Sequence, residues 1–157
     1  MFRQIRSLAA CSALMLCTIL TMISSAEAGQ ICLNVEARKG WQNFNIPPLR
    51  LSDFSISGDW TVEVGTYPDV DFRGYAGGAD AQITRQRSTK LRRGYPNGML
   101  LVDIGRGIVS ANIFARQLKK AAAARSRVGG RYRFRINEVD AALGDNSGAI
   151  RICLMTP

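Results

Sequence analysis

The sequence predicts an all-β domain, an antiparallel β-sandwich, with one short basic helix. Three observations lead there. Arg131–Asn137 alternates strictly, with Tyr132, Phe134 and Ile136 on one side and Arg131, Arg133 and Arg135 on the other, the period of a half-buried strand. Gly148–Leu154 alternates more weakly, Ile150, Ile152 and Leu154 sharing a face. The rest of the chain is a series of short β-rich runs parted by turn signals, with no internal repeat and no linker, the pattern of an antiparallel sandwich.

In order, Ile31, Leu33 and Val35 alternate with Cys32, Asn34 and Glu36 and predict a first strand over 29–37. Arg38–Gly40 turns the chain. Trp41–Phe44 leads into Ile46-Pro-Pro-Leu49; two prolines remove ladder donors and confine this segment to an extended edge. Leu51–Ser57 is a short strand that ends at the Gly58-Asp59 turn, and Trp60–Val64 is another, with Trp60, Val62 and Val64 on one face.

Thr66–Asp80, rich in Gly, Asp and Tyr, reads as a long loop of the kind that carries function. Thr84–Arg93 reads as exposed basic chain. Tyr95-Pro-Asn-Gly98 is a turn, and Met99–Ile104 a buried strand closed by Gly105 and Gly107. Ile108–Phe114 has strand character. Ala115–Arg127, with four consecutive alanines at Ala121–Ala124, has high helix propensity and predicts the basic helix, which Gly129-Gly130 would end.

Residues 1–28 read as a secretory leader: Arg3 and Arg6, then the apolar run Leu8–Ile23, then Ala26-Glu-Ala28 as a small-x-small cleavage site. The apolar run is short for a membrane span. Leu8-Ala-Ala-Cys11 offers a rival, a lipobox that would make Cys11 a lipidated terminus. In the first reading one domain of residues 29–157 is exported, secreted or periplasmic, and long enough for its own core. Two cysteines then remain, Cys32 near its start and Cys153 near its end. In an oxidising compartment they predict one disulfide that clasps the first strand to the last. Closing so long a loop contributes about 4–5 kcal/mol in the chain-entropy picture.

The chain carries +9 overall, unevenly distributed. Residues 29–81 hold four basic side chains against seven acidic; residues 82–135 hold fourteen basic against Asp103 alone. Arg85, Arg87, Lys90, Arg92 and Arg93, with Arg116, Lys119 and Lys120, form a candidate basic patch. It suits acidic polysaccharide or a membrane surface, or is simply a solvated face. Export and the lack of a recognised motif disfavour nucleic acid.

There is no histidine. Histidine-based triads, proton shuttles and His zinc sites are excluded, and the disulfide leaves the mature domain without a free thiol. No spacing selects a catalytic carboxylate pair, so an enzyme is not expected. The remaining chemistry is that of a hard cation. Glu138, Asp140, Asp145 and Asn146 lie close together between the last two strands, with Gly144 and Gly148 to bend the backbone. The spacing is not an EF-hand, and Asp and Asn also occupy such loops simply by bonding their own backbone.

The stretch Arg135-Ile-Asn-Glu-Val-Asp-Ala-Ala-Leu-Gly-Asp-Asn-Ser-Gly-Ala-Ile150 resembles the C-terminal hairpin of galactose-binding-like domains, in particular the calcium-dependent galactophilic lectins of bacteria. Val35–Trp41, Ile56-Ser-Gly-Asp-Trp60 and Asn97-Gly-Met-Leu-Leu-Val-Asp-Ile-Gly105 resemble other segments of that family in the same order. The resemblance implies a jelly-roll-like, galactose-binding-domain-like sandwich and a lectin-like, carbohydrate-binding function with Ca2+ as cofactor. It places metal ligands at Glu138, Asp145 and Asn146 and on the main-chain carbonyl of Ala142. Glu138 stands where the family has Asp, and the family's sugar-contacting His has no counterpart here. Tyr67, Phe72 and Tyr75 are the aromatics expected to pack on a sugar. The alternative is an envelope interaction protein that binds an anionic polymer or a protein through its basic face, without sugar or metal.

Overall fold

A computed structural model describes residues 29–157; the segment expected to be a leader, with Cys11 in it, lies outside the described residues. Two antiparallel sheets enclose one core, the arrangement of a β-sandwich. In the first, β8 (Ser147–Met155) is central, between β1 (Gln30–Glu36) and β3 (Asp53–Ser57), with β4 (Trp60–Thr61) pairing its start. The second runs β2-β7-β5-β6, from β2 (Gln42–Arg50), β7 (Arg127–Ile136), β5 (Leu100–Asp103) and β6 (Ile108–Ser110).

The inward residues are those the alternation selects. Leu33 and Val35, Ile150, Ile152 and Leu154, Leu100 and Val102, Phe134 and Ile136 are all buried in a single cluster. Burying such a side chain contributes roughly 1.5–3 kcal/mol. Cys32 lies directly opposite Cys153 in the β1–β8 ladder, and the two form the expected disulfide.

Pro47-Pro48 sits on edge strand β2, at a break in its register with β7 between Ile46 and Leu49. Across from the break is Gly129, where a Cβ would lie 2.9 Å from the Pro48 Cα. The Gly129-Gly130 pair therefore does not end a helix, as its sequence suggests. It lies within β7, where missing side chains let the prolines close against the strand.

The basic helix exists but starts earlier than expected. It is α2 (Ala111–Ala123), and the Ser110 hydroxyl accepts from the Ile113 N–H at 3.4 Å as its N-cap. Phe114 and Leu118 bury its apolar face beside Phe134 and Tyr132. A second helix, α1 (Gly77–Arg87), occupies chain that reads as loop and exposed basic stretch. It opens on two glycines and buries only Ile83, so it has no amphipathic stripe to announce it. Among the described residues no helix is long and apolar enough to cross a membrane.

Candidate functional site

The chain from β7 to β8 is anchored before it turns. Asn137 is fully buried; its side-chain oxygen accepts from the Arg92 N–H at 2.8 Å, and its amide donates to the carbonyls of Arg92, Tyr95 and Pro96. These bonds tie segment 92–96 to the end of β7. Residues Asp140–Asp145 then form a 3-10 turn. Gly148 restarts the sheet with φ 88°, and a Cβ there would stand 2.3 Å from the Asp59 carbonyl, so close approach of β4 to β8 requires glycine. Gly144 has no such constraint: its φ is not positive and a Cβ would meet nothing within 4 Å.

Two arginines hold the loop. Arg135 belongs to the outward face of β7 by its alternation, yet it is only 1% exposed. Its guanidinium lies over the Trp41 ring, 5.6 Å from the centroid, and donates to the carbonyls of Ile136 and Glu138. It also pairs with the exposed Asp140 carboxylate at 2.8 Å. The expectation that this face of the strand is solvated fails at Arg135, because Trp41 and the loop backbone cover it.

Arg87, the last residue of α1, approaches from the other side. One guanidinium nitrogen pairs with Glu63 at 2.5 Å; the other lies 3.0 Å from Asp145 and 3.5 Å from Glu138. Three carboxylates share one cation. Burial opposes the charge on Arg87, but Glu138, Asp145 and Glu63 outweigh it and hold the guanidinium above its usual pKa.

Glu138 is 1% exposed, and Asn146 is completely buried. One Glu138 oxygen accepts from the Thr89 hydroxyl at 2.9 Å, while the Asn146 amide donates to the Ala37 carbonyl at 3.1 Å. Glu138 Oε2 and Asn146 Oδ1 have no partner. Burial pushes the Glu138 carboxyl above its ordinary range, against the pull of Asn146, Thr89 and Arg87, and Asp145 adds to the rise. Unpaired buried oxygens are costly. A cation, a bridging water or a proton on Glu138 would each relieve such acceptors.

For calcium the chemistry of the donors fits, but their present spacing does not. Calcium takes oxygen ligands only, in flexible geometry, and Glu138, Asn146 and Asp145 offer oxygens of which two are buried and unused. Ala142 lies within the 3-10 turn, half-buried. The obstacle is Arg87. Among the described residues no three His, Cys, Asp or Glu side chains gather closely enough to hold a metal ion; the guanidinium stands among the carboxylates.

The other predicted residues separate. Tyr75 is 2% exposed and belongs to the core: its hydroxyl bonds to Thr61 and to the Pro68 carbonyl, and burial raises its pKa. It has no free face for a sugar, which corrects its assignment as a contact residue; the core needs its ring, and polar groups around Thr61 satisfy its hydroxyl. Tyr67 and Phe72 are half-buried, Tyr67 set edge-on to Tyr75 with its hydroxyl donating to Gln86, and Phe72 under the Arg73 guanidinium.

The basic patch also divides. Arg87 is consumed by the loop, and Lys90 pairs with Asp80 at 2.7 Å while only 11% exposed. Neither is part of a solvated face. Arg85, Arg92 and Arg93 near α1, and Arg116, Lys119 and Lys120 on α2, are exposed. One cleft, about 480 Å³, lies between α2 and β7, lined by Arg106, Phe114, Leu118 and Tyr132 among others. No predicted site residue lines it.

Sequence reasoning missed Glu63, Thr89 and the role of Arg87. Glu63 sits in an apolar run and Thr89 in a basic one, and nothing local marks either as a neighbour of Glu138. No protein-family model, curated protein or solved structure matches the chain.

Proposed function

We propose that the chain is an exported carbohydrate-binding domain, jelly-roll-like in its sandwich, whose ligand site is the loop between β7 and β8. Calcium would be held there by Glu138, Asp145 and Asn146 with the Ala142 carbonyl. When bound, it would supply a Lewis-acidic point for neighbouring sugar hydroxyls. Asp145, the exposed member, faces the ligand; Glu138 and Asn146 form the buried floor. The disulfide supports export to a secreted or periplasmic location. The domain binds and does not catalyse.

The observation that carries this reading is the pair of buried, unpartnered oxygens on Glu138 and Asn146. Calorimetric titration of the mature protein with calcium tests it, repeated on Asp145→Ala. Binding by the native chain that weakens in the variant supports it; no heat at millimolar calcium sinks it. A glycan array with and without chelator then identifies the sugar.

A second reading rests on the exposed arginines and lysines. Among the described residues, Arg85, Arg92, Arg93, Arg116, Lys119 and Lys120 are in none of the ion pairs. They would suit an anionic polysaccharide or membrane surface at the cell envelope. Such binding fades steeply as salt rises and is indifferent to chelator.

A further inference from the structure

We infer that Arg87 is an internal stand-in for the divalent ion: its guanidinium fills the cation position of the loop, and metal enters only as Arg87 leaves. The inference rests on the reading of the loop as a cation site and deepens it by naming what regulates occupancy.

Three features carry it. Arg87 contacts all three carboxylates of the cluster, Glu63, Glu138 and Asp145, at 2.5, 3.5 and 3.0 Å. It is the only cation that pairs with them among the described residues. One positive charge facing three carboxyl groups leaves the cluster negative whenever all three are ionised. The cluster also keeps two buried acceptors that the guanidinium does not reach, Glu138 Oε2 and Asn146 Oδ1. A guanidinium is a planar donor that bonds carboxylates edge to edge, and those two acceptors lie outside its hydrogen bonds.

The two cations exclude one another. A calcium ion lies 2.3–2.6 Å from its oxygen ligands. Bound to Glu138 and Asp145, it would sit beside a guanidinium held by the same two groups, and the like charges would repel in a partly buried site. The long Arg87 side chain can swing away, since it is the terminal residue of α1 and its neighbour Ser88 already leaves the helix in the left-handed region.

The test compares calcium binding by the native mature chain, Arg87→Gln and Arg87→Lys, using calorimetry and terbium luminescence. Thermal melts in chelator confirm that each variant is folded. Removing the guanidinium should tighten calcium binding roughly 5–150-fold, the usual span of coupling between two sites. Lysine keeps a charge but not the fork, and should fall between. By reciprocity, calcium added to the native chain should shift the Arg87 Nε–Hε resonance toward that of a free guanidinium.

Equal affinity in native chain and variants would overturn the inference while leaving the calcium site standing. Binding only by Arg87→Gln would support it and sink the calcium reading of the native chain. No binding by any of the three would overturn both. Should Arg87→Gln fail to fold, the lysine variant and the native resonance still decide.

Discussion

Arg135 and Arg87 grip the same loop from opposite sides and do different things. Arg135 bonds mainly to backbone carbonyls and stacks on Trp41. Its one charged partner, Asp140, has a side chain 79% exposed. It fixes where the backbone goes. Arg87 touches no loop carbonyl among its hydrogen bonds; its partners are carboxylates that could equally hold another cation. An arginine bonded to neutral carbonyls is part of the frame, because nothing else offers so many directed donors. An arginine bonded to surplus carboxylates is exchangeable.

Arg135→Ala should be the most damaging change. It strands the carbonyls of Ile136 and Glu138 and empties the space under Trp41, for a loss of about 3 kcal/mol in urea unfolding. Arg87→Gln should cost less, about 2 kcal/mol in chelator, since Glu63 and Asp145 can turn to water while buried Glu138 loses its charged partner and must take up a proton. If Arg87→Gln proves the costlier of the two, Arg87 is frame as well and the contrast collapses.

Glu138→Gln sharpens the same point. The amide keeps an acceptor for Thr89 and gains a donor for Asn146, so metal-free stability at neutral pH should hold within about 1 kcal/mol of the native chain. The pH profile should change more. The folded Glu138 carboxyl titrates above its ordinary range because it is buried. Its stabilising contribution is therefore fully present below the unfolded value of about 4.3 and is lost as pH rises through the higher folded value. Glu138→Gln removes that decline, and unfolding curves measured from pH 4 upward should show it. Calcium binding should fall in the same variant.

The smallest effect belongs to an exposed pair elsewhere. Asp103 is held below the usual carboxylate range by hydrogen bonding from Arg133, with help from the Gly105 N–H. Its contribution is present above the ordinary Asp value and lost as pH falls through the depressed one. Asp103→Asn should flatten acid unfolding only slightly, by less than about 1 kcal/mol. A larger change would mean that exposed arginine pairs in this chain do more than solvate.

How much of this was legible follows from the range of each signal. The strands were readable because side-chain alternation has a period of two and needs only neighbouring residues, as in Tyr132, Phe134 and Ile136. Helix α1 was not, since Gly77-Gly78 and a single buried residue, Ile83, leave no periodic stripe. Glu138, Asp145 and Asn146 stood out as a group because they share one short loop. Glu63 and Arg87 did not: they are 24 residues apart, and Arg87 is 58 from Asp145. Tyr75 looked like a ligand contact because its loop is rich in Gly and Asp, yet it faces inward.

The sequence by itself determined the β-rich sandwich, the edge placement of Pro47-Pro48 and the Cys32–Cys153 clasp. Those depend on local periodicity, on a missing backbone donor and on there being one pair of cysteines in residues 29–157. Only the tertiary structure decided which acidic residues meet, that Arg135 is buried, and that a guanidinium stands among the carboxylates of the loop. Electrostatics is a sum over groups brought together from distant parts of the chain, and the sign and surplus of that sum exist only once α1, β4 and the last hairpin have closed on one another.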